Sequence, residues 1–221
     1  MSRPARRLTT TSYAILGLLA IRPWSTYELA KQMRRNLHYL WPRAESNIYA
    51  EPKRLVEGGF AEVRSRPQGK RPRTVYSITR EGRKALEQWL GKPGDSSRLE
   101  SEALVKLMFA TDGSKRDLLT TLQRFRDDAE GKRTELAVIF GEYLNGEDPF
   151  PERVHINVVA YRLLWAYAQT EVTWASWALD QVRRWPDTKK SAGRPELMAA
   201  LRAALDEGAN QRRASPIQKR V

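Results

Sequence analysis

The chain contains no cysteine. That excludes disulfides, a thiol nucleophile and thiolate metal sites, and it suits a reducing, cytoplasmic location. Histidine is nearly absent too. His38 and His155 are the only 2 in 221 residues and lie far apart, so an imidazole metal site or catalytic dyad is not expected. The sequence has no phosphate-binding loop, no dinucleotide fingerprint, no metal-ligand spacing and no Ser/His/Asp grouping. These absences point away from an enzyme, and no cofactor is expected. Long apolar runs are also missing. Tyr13 to Ile21 follows Arg3, Arg6 and Arg7 in the manner of a signal peptide. It is near the lower limit for such a segment, no small-x-small cleavage pattern follows, and Arg22-Pro23 interrupts at once. It falls far short of the ~20 residues a membrane span needs, so no membrane partner is expected. The run reads instead as the first helix of a folded domain, capped by Thr11 or Ser12 and buried against Leu29 and Leu55.

Acidic residues are scarce in one part of the chain only. Residues 1–94 hold 19 Lys and Arg against 7 Asp and Glu, net +12; residues 95–190 hold 14 against 16, net −2; residues 191–221 hold 6 against 3, net +3. Nearly all of the overall +13 therefore sits in the first half. Such asymmetry suggests a polyanionic partner at one end and a near-neutral packing module at the other.

What is present in the basic half is organised around Trp24 to Arg80. Ser25-Thr26-Tyr27-Glu28 is a capping box, and Leu29, Met33 and Leu37 behind it form one apolar stripe. A second helix is expected over about Ala44 to Glu57, with Ile48, Pro52, Leu55 and Val56 inward. Ser46, Asn47, Ala50, Lys53, Arg54 and Glu57 then face outward. Gly58-Gly59 ends it. Two strands follow, Phe60 to Arg64 with Ala61 and Val63 on one face, and Thr74 to Thr79 with Tyr76 and Ile78 on one face. The connecting Arg66-Pro67-Gln68-Gly69-Lys70-Arg71-Pro72-Arg73 has four cations and no acid. This is the layout of a winged helix-turn-helix, whose second helix enters the major groove while the wing meets phosphates or the minor groove. The expected DNA contacts are Ser46, Asn47, Tyr49, Ala50 and Lys53 at the groove. Arg43, Arg54, Thr26, Tyr27 and Lys31 would reach the backbone, and Lys70, Arg71 and Arg73 would work at the wing. Asn can pair with adenine, and Arg or Lys with guanine. Tyr49 has two readings, a groove contact or a core residue with its hydroxyl on a phosphate.

Several stretches in fixed order resemble the PadR family of bacterial transcriptional regulators. They are Thr11-Ser12-Tyr13-Ala14-Ile15-Leu16-Gly17-Leu18-Leu19, Thr26-Tyr27-Glu28-Leu29, Asn47-Ile48-Tyr49, Lys53-Arg54-Leu55-Val56-Glu57-Gly58-Gly59, and Tyr76-Ser77-Ile78-Thr79 with Gly82. The likeness covers about residues 10 to 92. It implies a dimeric, ligand-responsive repressor with a helical C-terminal dimerisation region, and phenolic or drug-like aromatic effectors bound near the dimer interface. The family often has Pro directly after the recognition-helix Tyr. Here Ala50 follows Tyr49 and the proline is Pro52, which should bend or shorten the helix start.

Thr79 is expected to cap a helix to about Leu90, with Leu86, Trp89 and Leu90 on one side. Lys92-Pro93-Gly94-Asp95-Ser96-Ser97 reads as the linker, giving a winged-helix domain over 1–94 and a helical dimerisation and effector domain over 95–190. Residues 191–221 form a polar basic tail, with a short amphipathic helix from Pro195 to Leu205 and disorder from Asn210. The fold class is thus mainly α, the winged helix contributing a two-stranded hairpin. The second domain reads as helices over about 99–110, 115–144 and 152–185. In the 115–144 helix a coiled-coil-like seam runs through Leu118, Leu122, Phe125, Ala129, Leu136, Ile139 and Tyr143, with one flaw at Lys132, either a paired interface charge or a snorkelling lysine. The last helix carries two apolar stripes, one through Val158, Trp165, Val172 and Leu179, the other through Ile156, Val159, Leu163, Tyr167, Trp174 and Trp177. Two stripes imply two packing surfaces, the second most simply another protomer. Dimerisation is assigned to Leu118, Leu122, Phe125, Leu136, Val158, Trp165, Val172 and Leu179. Tyr13, Trp89, Trp165, Tyr167, Trp174 and Trp177 either wall a flat pocket for a small aromatic effector or pack at that interface.

The function expected from these features is a homodimeric, sequence-specific regulator that binds double-stranded DNA at an inverted repeat, a repressor released by its effector. The alternative is a non-regulatory winged-helix module, either an architectural DNA binder or a protein-interaction adaptor.

Overall fold

The computed structural model describes residues 8–41, 48–66, 73–190 and 193–214. The chain divides into two compact units, Met1–Arg98 and Leu99–Val221.

The first unit begins with α1 (Thr10–Ile21). Its cap is Thr9 rather than Thr11 or Ser12: the Thr9 side chain accepts from the Ser12 amide, and the Ser12 hydroxyl accepts from the Thr9 amide at 2.9 Å. Thr11 and Ser12 are already inside the helix and buried. A short strand β1 (Trp24–Ser25) leads into α2 (Thr26–Gln32), which continues as a wider π turn, Met33–Leu37. The Ser25/Glu28 capping box is complete. After a turn at 48–50 comes α3 (Glu51–Glu57), then β2 (Ala61–Arg66), β3 (Arg73–Ile78) and α4 (Arg80–Leu90), capped by Thr79.

The sheet has three strands rather than two, in the order β1-β3-β2. Trp24 pairs with Tyr76 and Ser25 with Val75, so the chain entering α2 is fixed to the base of the hairpin. The Trp24 ring is buried. Its Nε1 donates to the Leu18 carbonyl at 2.7 Å, and the Arg22 guanidinium lies 3.6 Å over the ring. In the hairpin, Ala61 faces Ile78 and Val63 faces Tyr76. Ala61 is buried as expected, but Val63, on the edge strand β2, is 47% exposed.

Ile15, Leu16 and Leu19 of α1, Leu29 and Met33 of the second helical segment, Ile48, and Leu55 of α3 are all buried. Full burial of such side chains contributes roughly 1.5–3 kcal/mol each, and this core holds α3 against α1. The expected stop at Gly58-Gly59 is a Schellman turn. Gly59 has φ +77°, its amide donates to the Val56 carbonyl at 3.0 Å, and the Phe60 amide donates to Leu55 at 2.8 Å.

The second unit is built on α6 (Lys115–Leu144) and α7 (Val154–Arg184), preceded by α5 (Glu102–Met108). Leu118 and Leu122 early in α6 pack on Leu179 and Val182 late in α7, while Leu136 and Ile139 pack with Tyr161 and Ala168, so the two helices run antiparallel. Lys115 Nζ donates to the Arg183 and Trp185 carbonyls at 2.8 and 2.5 Å, holding the end of α7. Lys132 is an ion-paired residue of this hairpin, its Nζ 3.0 Å from Glu171 Oε2 of α7. A final helix α8 (Arg194–Ala214) is much longer than the Pro195–Leu205 segment expected, and it covers part of the stretch expected to be disordered from Asn210. Good helix formers dominate it, with four Ala and four of Leu and Met between Leu197 and Leu205.

Candidate nucleic-acid interface

The start of α3 is set by Pro52. Proline is well tolerated in a first helical turn, where its missing N–H has no intrahelical partner to lose. The described helix accordingly starts at Glu51, and Tyr49 and Ala50 stand in the turn before it; the expected start near Ala44 lies outside the described residues. Ile48, Pro52 and Leu55 face inward, as their pattern requires, and Val56 is half-buried. Tyr49 is 59% exposed, which removes it from the core, and Ala50, Lys53, Arg54 and Glu57 are exposed beside it.

The other assigned contacts divide as follows. Thr26 is half-buried at the start of α2, whereas Tyr27 and Lys31 are exposed. Arg73 opens β3. Arg43, Ser46, Asn47, Lys70 and Arg71 lie outside the described residues. The described surface thus presents two tyrosines and three cations, Lys31, Lys53 and Arg54, on the unit that holds the charge excess. An aromatic-and-cation surface on an anchored helix can reach base edges and phosphates together.

One residue of this region was not marked by the sequence pattern. Glu51 is an acid in a basic unit, yet it is only 7% exposed. Its Oε1 accepts from Ser12 Oγ at 2.5 Å, and its Oε2 lies 3.3 Å from Arg54 Nη1. The sequence signal available was weak: a hydroxyl within an apolar helix and a lone acid at a helix start.

The six candidate effector aromatics are not gathered in one cavity within either unit. In the first unit Tyr13 and Trp89 stack on each other, centroids 4.8 Å apart and planes 6° from parallel. In the second, Trp165 lies on Phe140 at 5.3 Å and Trp174 meets Phe125 edge-on at 5.4 Å, so both are packing residues of the α6–α7 hairpin. Tyr167 and Trp177 are exposed on α7. Partial desolvation of its hydroxyl, and then the charge of Glu171, raises the Tyr167 phenol above its ordinary range. An open groove of about 500 Å³, lined by Leu119, Gln123, Arg124, Asp127, Leu179 and Arg183, contains none of the six.

The dimerisation assignments need a similar correction. Leu118, Leu122, Leu136, Val172 and Leu179 are buried within the single chain, and Phe125 and Trp165 are engaged by Trp174 and Phe140. The five buried side chains have almost no apolar area left to give a partner, whereas Phe125 and Trp165 are half-buried. Val158 alone among the eight is exposed. The free apolar face of α7 is the other stripe: Ile156, Val159, Leu163, Tyr167 and Trp177 are all exposed.

The first unit is a winged helix-turn-helix of the DNA-binding class, joined to a unit built on a long helical hairpin. Residues 15–88 match the transcriptional regulator PadR-like family, and residues 100–183 match the virulence activator alpha C-terminal family. The first unit thus carries a PadR-like transcriptional regulator domain. It is 29% identical over 133 residues to the negative transcriptional regulator PadR of Bacillus subtilis, covering 59% of this chain and 71% of that one. Its fold is similar to a PadR-like transcriptional regulator of Bacillus cereus, with a TM-score of 0.68 at 18% identity over 81% of this chain and 99% of that one. It is also similar to Bacillus subtilis PadR in complex with operator DNA, with a TM-score of 0.66 at 22% identity over 79% and 99% of the two chains. The same Bacillus protein is known in complex with p-coumaric acid, and that structure matches with a TM-score of 0.60 at 22% identity over 79% and 99% of the two chains.

Proposed function

We propose that this PadR-like regulator is a homodimeric repressor that reads an inverted-repeat operator and is released by a small aromatic effector. The observation that carries the reading is the exposed Tyr49, Ala50, Lys53 and Arg54 set, held by a buried face in the unit of net +12. The exposed Ile156, Val159, Leu163, Tyr167 and Trp177 stripe supports a second copy as partner, since exposed apolar patches of this kind mark interaction surfaces. The Bacillus subtilis relative is named a negative regulator, and its complexes with operator DNA and with p-coumaric acid favour a repressor with an aromatic ligand. Effector binding on the helical unit would change the spacing of the two DNA-reading helices, lowering affinity without altering base contacts.

The test is selection of bound sequences from a random duplex pool at near-physiological salt, with Lys70→Ala/Arg71→Ala/Arg73→Ala beside wild type. An inverted repeat should emerge, and the triple variant should bind more weakly across all sequences while keeping the motif. Absence of any motif would leave shape-based DNA binding, or an adaptor role with only salt-sensitive background binding.

A further inference from the structure

We propose that Glu51 is a positioning residue for DNA reading: it fastens the recognition helix to α1 through Ser12 and restrains the Arg54 guanidinium. The proposal rests on the reading that the exposed α3 face contacts DNA. A buried carboxylate is costly unless its oxygens are matched by donors, and both are matched here. Ser12 is buried, and its single hydroxyl proton goes to Glu51 across 2.5 Å. The same oxygen accepts from the Thr9 amide at 2.9 Å and lies 3.1 Å from the Thr9 hydroxyl, which then acts as donor. A continuous chain of hydrogen bonds therefore runs from the cap of α1 to the first residue of the recognition helix.

That residue precedes Pro52, which donates no backbone hydrogen bond, so the side-chain tie acts where the helix's own bonding is weakest. At its other oxygen, Glu51 takes one nitrogen of Arg54, whose side chain is still 48% exposed. An arginine fork held at one nitrogen gives up part of its rotational freedom, and its remaining N–H groups suit paired bonds to a guanine edge. The rotamer freedom of Arg54 is given up on folding instead of on binding.

Glu51→Gln keeps the shape and still accepts from Ser12, but it sets an amide N–H₂ against the guanidinium and releases it. The full-length protein is compared on the selected operator and on a scrambled duplex, by anisotropy at fixed salt, with melting temperature as the fold check. Operator affinity should fall about tenfold, the scale of one paired base contact, while scrambled-duplex affinity should change less than about twofold. In an Arg54→Ala background the same substitution should leave operator affinity unchanged, because Glu51 acts through Arg54. An equal loss in both backgrounds would make Glu51 a structural support only and would overturn the proposal, as would unchanged discrimination in Glu51→Gln. A wild-type protein that selects no motif overturns the DNA reading itself, before any variant is compared. If Glu51→Gln does not fold, the cycle is run with Glu51→Asp, which keeps the charge and withdraws the carboxylate, and is judged by the same outcomes.

Discussion

Replacing Gly82 by alanine should undo the junction between α4 and the chain that leaves α3. A Cβ at this position would lie 2.1 Å from the Phe60 carbonyl oxygen and 2.8 Å from Ile78 Cγ1. Reaching the 3.4 Å of ordinary contact from 2.1 Å requires a separation of 1.3 Å, and the atom to be moved is backbone. That carbonyl accepts from the Thr79 amide at 3.1 Å, while the Thr79 hydroxyl donates to the Gly59 carbonyl at 2.7 Å and caps α4 through the Gly82 amide at 3.1 Å. Loss of one such backbone bond costs about 1 kcal/mol, and overpacking adds about 1–3 kcal/mol. The sum, about 2–4 kcal/mol, corresponds at ~4–8 °C per kcal/mol to a fall of roughly 10–30 °C in the melting of a unit this size. Calorimetry on the full chain measures it. Gly17→Ala is the control: nothing lies within 4 Å of its added methyl, it sits inside α1, and its melting should be unchanged or slightly raised. Gly82→Ala melting at the wild-type temperature would refute the reasoning.

Lys132→Met should destabilise the helical unit by about 1–2 kcal/mol, the partial exposure of the pair reducing the cost of a stranded charge; Lys132→Met/Glu171→Leu should recover most of that loss in urea unfolding, since Glu171 is only 13% exposed and its removal takes the stranded charge away. Leu122→Ala, at a fully buried seam position, should cost about 2–5 kcal/mol in the same assay. The Tyr167 phenol is raised on folding, so the neutral form is favoured in the folded state. Its contribution is therefore fully present below the unfolded phenol value, about 10, and is lost as pH rises through the higher folded value. Absorbance titration of wild type against Tyr167→Phe should show one phenol ionising above the ordinary range.

Most features governed by neighbouring residues could be read from the sequence, the α1 cap at Thr9 being the exception. The Ser25/Glu28 box, the Thr79 cap and the Gly58-Gly59 stop all involve groups within a few residues of each other, and all stand where their chemistry puts them. The long helices were equally legible from their apolar spacing. What stayed hidden depends on distant partners. The two-residue strand β1 exists because β3 pairs with it. Glu51 is buried because Ser12, 39 residues away, meets it, and Lys132 is neutralised by Glu171, also 39 residues away. On α7 both stripes are apolar, and periodicity cannot say which of them α6 will cover. That choice moved the free face from Trp165, Val172 and Leu179 to Ile156, Val159, Leu163, Tyr167 and Trp177. At the site, the anchoring positions Ile48, Pro52 and Leu55 and the exposed Ala50, Lys53 and Arg54 followed from pattern, whereas pattern left Tyr49 open between core and surface, and the start of α3 had to come from where Pro52 fits.

Hydroxyl-radical footprinting of the selected operator by the full chain tests the central claim most directly. Two protected patches about 34–36 Å apart, or a multiple of that, related by the repeat's two-fold axis, are the predicted result for two winged helices reading one inverted repeat. A single patch, or even protection without preferred positions, would contradict it.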